Sequence, residues 1–91
     1  MKPAISMLAL LALAVPAQAE DITIGFAIAK SGWMEAYDTP AATAAKIRID
    51  EINAAGGLLG RQIAVVEADT RTDRAGAAKA GLDLLDQGAQ M

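Results

Sequence analysis

Four stretches of the chain carry a regular pattern of apolar and polar positions, and they alternate in kind. Residues 22–29, ITIGFAIA, are nearly all apolar and rich in β-branched side chains. A short run of this kind predicts a strand buried on both faces, as in a parallel sheet. Ala42, Ala45, Ile49 and Ile52 then recur at helical spacing, with Lys46, Arg48, Asp50 and Glu51 mostly on other faces. Asp38 or Thr39 is placed to cap this helix, and Pro40 suits its first position, where a missing N–H costs nothing. Gly56-Gly57 predicts its end, because glycine accepts the left-handed conformation there. Residues 63–68, IAVVEA, predict a second strand. After the loop DTRTD, Asp73 can cap a second helix running to about Gln87 and stopping at Gly88. Its expected packing side holds Ala77, Ala78, Gly81, Leu84 and Leu85. A third strand is expected to begin at the last residues, AQM.

Strands alternating with helices predict an α/β fold, a βαβα unit with a parallel sheet and a right-handed crossover. Two strands and two helices with alanine-rich packing sides bury little area, and domains of this size are marginal. Residues 20–91 are therefore expected to be the opening part of a larger domain.

The first residues follow a different pattern. Lys2 precedes the apolar run PAISMLALLALAV, then Pro16 and the small-residue site AQA, Ala17 to Ala19. These are the three parts of a secretory signal peptide. The run is too short for the ~20 residues of a spanning helix. Residues 1–19 are expected to be removed between Ala19 and Glu20, placing the mature chain outside the cytoplasm.

Composition narrows the chemistry. Without Lys2 the chain holds seven basic and eleven acidic residues, a net charge of −4, and no basic cluster, which argues against nucleic acid as a partner. There is no cysteine, so an exported fold must hold by burial alone. There is no histidine, which removes the commonest general base and metal ligand. No metal site, cofactor or catalytic residue is expected. Gly56, Gly57 and Gly60 follow a helix and precede a strand, the reverse of a phosphate loop. Glu67 and Asp69 read as solvated or capping carboxylates rather than an acid/base pair. The stretch SGWMEAYD, residues 31–38, read as a loop, holds two of the three aromatics, Trp33 and Tyr37, between the first strand and helix.

The chain resembles the first lobe of the periplasmic binding proteins of branched-chain amino acid ABC transporters. The resemblance spans residues 21–90 and rests on an ordered set of motifs. An I-x-I-G strand, Ile22 to Gly25, leads to a Ser-Gly loop with a following Tyr: Ser31, Gly32 and Tyr37. EINAAGGLLGR, Glu51 to Arg61, is the most specific string. A strand then leads to acidic Glu67 and Asp69 and to a D-x-x-x-A helix, Asp73 to Ala77. The family usually has Pro where Trp33 stands and often Gly where Asp38 stands; both departures bear on ligand identity.

The resemblance implies a two-lobed type I binding protein with ligand held between the lobes. It implies a branched-chain amino acid or related amide or acid as ligand, a membrane permease of an ABC transporter as partner, and a periplasmic location. The loop after the first strand would sit at the carboxyl ends of the strands, where open α/β sheets bind ligands. Tyr37 matches the family's ring against the ligand side chain. Trp33 has no counterpart, and Ser31 offers a hydroxyl. The alternatives are structural: Tyr37 packing on the helix start, Trp33 an exposed hydrophobe or interlobe contact, Ser31 a turn hydroxyl. Two other functions fit the same residues, a ligand-sensing receptor domain and an exported α/β enzyme, the latter without a histidine or nucleophile motif here.

Overall fold

The computed structural model describes residues 20–91. The expected signal peptide, residues 1–19 with Ala19 of the expected cleavage site, lies outside the described residues, and Glu20 is exposed. The elements are β1 (Ile22–Ile28), α1 (Glu35–Ala54), β2 (Ile63–Asp69) and α2 (Arg74–Asp86). β1 and β2 pair in parallel, with Ile22 opposite Ile63 and Ile28 opposite Asp69. The expected α/β class and βαβα order are observed.

Alternation along the strands distributes the helices between the two faces. Gly25 lies so close to α2 that a Cβ there would stand 2.9 Å from Ala89 Cβ and 3.3 Å from Leu84 Cβ. On the opposite face Glu67, paired in register with Phe26, reaches the ammonium of Lys46 on α1. The free edge of β1 is also engaged. Gln90 N–H donates to Thr23 O, and Gly25 N–H donates to Met91 O. Residues 90 and 91 thus run beside β1, where the third strand was expected to begin.

α1 starts earlier than the pattern predicts. Glu35, Ala36, Tyr37 and Asp38 are helical rather than loop, and Pro40 falls inside the helix. Met34 is the N-cap and gives no side-chain bond. Two things replace the cap. Glu35 and Asp38 put negative charge in the first turn, against the positive end of the helix. Asp38 accepts the Ala29 N–H through Oδ2 at 2.7 Å, so it joins the helix to the end of β1 instead of capping. Pro40 and Ala36, four residues before it, are both exposed, so the helical bond that Pro40 cannot donate costs less than it would in a buried turn.

The far end of α1 is as expected. Gly56 N–H donates to Asn53 O and Gly57 N–H to Ile52 O, with Gly56 and Gly57 both at positive φ. Gly57 is required twice over: φ is +85°, and a Cβ would lie 2.1 Å from Arg61 O. Arg61 in turn donates through Nε to Glu20 O at 2.6 Å, tying the entry of β1 to the turn before β2. In α2 the Asp73 cap is observed, its carboxylate accepting from Gly76 N–H at 2.9 Å. The packing stripe differs from the one expected. Ala80 and Leu84 are buried, whereas Ala77, Ala78 and Leu85 are exposed. Gly76, whose Cβ would meet Thr70 O at 2.2 Å, brings the first turn hard against the loop and rotates α2 onto the 76–80–84 stripe. On α1 Ala42 is buried, Ile49 and Ile52 are half-buried, and Ala45 is exposed.

Candidate ligand-facing rim

β1 and β2 are parallel, so their carboxyl ends lie together, and two loops leave from there: residues 29–34 and residues 70–73. Asp69, the last residue of β2, joins them. Its Oδ1 accepts from Lys30 N–H and from Arg71 N–H, each at 2.8 Å, and its Oδ2 accepts from Ser31 Oγ at 2.8 Å. The Arg71 and Lys30 backbone donors, with Ser31, hold this carboxyl below its usual range. A second tie runs the other way: Thr72 Oγ1 donates to Ser31 O at 2.8 Å. The approach is close enough that a Cβ on Gly32, whose φ is +82°, would lie 2.6 Å from Thr72 Oγ1.

The second loop is itself strained. Arg71 and Thr72 have φ of +59° and +55°. Each non-glycine residue in this region costs roughly 1–2 kcal/mol. The Asp69 bond to Arg71 N–H and the Thr72 bond to Ser31 hold it there. Strain of this kind concentrates where a loop must keep one shape.

At this pinned rim stand the two aromatics. Trp33 is 72% exposed and Tyr37 68% exposed. Their rings meet edge to face, centroids 6.2 Å apart at 83°. Tyr37 projects from the first turn of α1 and Trp33 from the loop before it, so the pair spans the junction. Edge-to-face pairs are favoured by the ring quadrupoles. Neither ring lines the hollow of about 430 Å³ beside α2 or the one of about 260 Å³ between α1 and the strand ends. They face outward from an open rim.

Glu67 stands beneath this rim, on the α1 side. Its Oε2 lies 2.9 Å from Lys30 Nζ, and its Oε1 contacts Lys46 Nζ. The Lys46 and then the Lys30 hydrogen bonds pull its carboxyl down against the opposing effect of burial. Both Glu67 and Asp69 are therefore held ionised by donors, and neither is poised to exchange a proton near neutral pH. Their work is to hold the loop.

Of the residues singled out in the sequence, Ser31, Trp33 and Tyr37 do come together at one rim. Asp69, read from the sequence as a solvated or capping carboxylate, instead pins the Ser31 loop; Thr72 was assigned no role, and Asp38 was assigned a different one. The only local signal for Asp69 was its place at the end of a strand. Among the described residues no group of three or more His, Cys, Asp or Glu side chains gathers as a metal site would.

Comparison with known proteins agrees with this geometry. The 1.0 Å crystal structure of the branched-chain amino acid transporter substrate binding protein LivJ from Streptococcus pneumoniae, in complex with isoleucine, superposes with a TM-score of 0.70 and 43% identity. The match covers 75% of this chain and 20% of that one, so the chain spans about a fifth of LivJ's length. No curated protein matches. The family model described as periplasmic binding protein matches residues 21–91. On that match, the chain belongs to the periplasmic binding protein family.

Proposed function

We propose that the chain forms the opening part of the first lobe of an extracytoplasmic solute-binding component of an ABC transporter. It would supply one wall of a cleft that closes on a branched-chain amino acid or a similar small ligand, and it would deliver that ligand to a membrane permease. One observation carries the reading: Trp33 and Tyr37 are exposed as an edge-to-face pair where a loop bearing Ser31, fixed at the carboxyl ends of two parallel strands, meets the first turn of α1. Exposed rings on a rigid support suit a surface that becomes buried against ligand. The isoleucine bound to LivJ makes a branched aliphatic side chain the first ligand to test. This wall binds and performs no chemistry.

Export belongs to the same reading. Lys2, the apolar run and AQA would direct the chain across the membrane, with cleavage after Ala19. Mass spectrometry of the secreted protein is expected to find Glu20 at the N-terminus. Soluble protein that retains Met1 would count against export. For ligand binding, calorimetry of the full-length protein against leucine, isoleucine and valine is expected to give saturable binding. Absence of heat with all three would remove the proposed ligand class.

A further inference from the structure

We propose that Ser31 meets the ligand as a hydrogen-bond acceptor, so that this loop selects a donor such as an ammonium or amide N–H, with Asp69 as the positioning residue. The inference rests on the reading of the rim as a ligand wall and adds to it the polarity of one contact.

A serine hydroxyl has one proton and two lone pairs. Whether it donates or accepts is normally free to adjust by rotation. Here it is not free. Asp69 is surrounded by donors: Lys30 N–H and Arg71 N–H on Oδ1 and Ser31 Oγ on Oδ2. An ionised carboxylate only accepts. The Ser31 proton must therefore point at Asp69, and the exposed side of Oγ carries lone pairs alone. Lys30 does not alter this, because its ammonium is turned to Glu67. Thr72 fixes the same residue from behind, donating to Ser31 O. The negative charge of Asp69 behind the hydroxyl strengthens its attraction for a cationic donor. A carboxylate brought to the same oxygen would meet lone pairs and a like charge.

The test uses the full-length protein and two probes that differ in one group: L-isoleucine and 3-methylpentanoate, which has the same carbon chain and carboxylate but no ammonium. Affinities are measured by calorimetry for the native protein and for Ser31→Ala, Ser31→Thr and Asp69→Asn. Asn at 69 can turn its amide N–H toward Oγ, which sends the Ser31 proton outward. Ser31→Ala and Asp69→Asn are expected to lower the preference for isoleucine by about tenfold, the worth of one hydrogen bond to a charged group. The loss should fall on isoleucine. Ser31→Thr keeps the hydroxyl and is expected to keep the preference. Equal weakening of both probes, or an unchanged preference, would overturn the assignment of Ser31. Failure of the native protein to bind isoleucine, leucine or valine would remove the ligand class on which this inference rests, and the inference with it. If Asp69→Asn does not fold, the exposed Ser31→Ala and Ser31→Thr pair decides alone.

Discussion

The side-chain amide of Asn53 exchanges two hydrogen bonds with the backbone of Ile63: Nδ2 donates to Ile63 O and Oδ1 accepts from Ile63 N–H, both at 2.8 Å. In a parallel pair the backbone groups of alternate residues turn to opposite sides. Gln62 O and Thr70 N–H face β1, so those of Ile63 face the outer edge of the sheet. Asn53 occupies that edge as a neighbouring strand would. The last turn of α1 is thereby fastened to the first residue of β2, and the edge is shielded at the one β2 residue that is buried.

Replacing Asn53 by Leu in the full-length protein is expected to destabilise it by roughly 1–3 kcal/mol, because two backbone groups of buried Ile63 lose their partners. Urea unfolding gives the number, and ligand affinity should stay unchanged because the proposed site lies at the other end of the strands. A loss below about 0.5 kcal/mol, the range of ordinary surface changes, would mean water replaces the amide at little cost.

Tyr37→Ala should separate binding from stability. The ring is mostly exposed, so its removal should cost no more than about 0.5 kcal/mol of folding stability. If ligand buries it, affinity should fall by roughly 1–3 kcal/mol. Trp33→Ala should change the rank order of a panel of leucine, isoleucine, valine and short-chain amides. An identical rank order in both proteins would return Trp33 to the role of an exposed hydrophobe.

Asn53 and the aromatic pair mark what the sequence could and could not reveal. Strand runs, the Gly56-Gly57 stop and the Asp73 cap are local, and each follows from residues adjacent in the chain. Asn53 bridges ten positions, Asp38 nine, and Asp69 reaches Ser31 across 38. No local rule detects bonds of that span. The start of α1 was misplaced for the same reason: Asp38, a good cap by type, is drawn to Ala29, and Pro40 is tolerated inside the helix because its face is exposed. The position of Ser31, Trp33 and Tyr37 was legible because a parallel sheet gathers its carboxyl-end loops. The scaffold that fixes them was not.

Acid should loosen the rim. Glu67 has a folded pKa below its ordinary value of 4.5, and Asp69 one below 3.8. A depressed carboxyl contributes stability that is fully present above its ordinary value and is lost as pH falls through the lower folded value. Native full-length protein should therefore lose stability on acidification from about pH 5 to about pH 3 more steeply than Glu67→Gln, which has no carboxylate to protonate there. Unfolding midpoints along that series provide the comparison. Parallel curves would show that the Lys30 and Lys46 pairs contribute nothing measurable, as exposed ion pairs often do.

Residues 20–91 in isolation are expected to be marginally folded and poor at binding. Among the described residues the buried apolar set is Ala29, Ala42, Ile63, Ala80 and Leu84, three of them alanines. Ile47, Leu58, Leu82, Leu85 and Met91 remain exposed. Alanine gives up little surface on burial, so such a core does little against the conformational entropy of the chain. Binding fares no better. One apolar side chain laid against Trp33 and Tyr37 gains about 1.5–3 kcal/mol. Association costs an estimated 4 kcal/mol or more in lost translational and rotational freedom. Even with the Ser31 contact added, the balance stays near zero without a second wall. Circular dichroism of this segment should show a broad thermal transition without sharp cooperativity. Calorimetry against leucine, isoleucine, valine and short-chain amides should show no saturable heat, where the full-length protein does. Micromolar binding by the segment alone would place the whole site within it and remove the need for a cleft between two lobes.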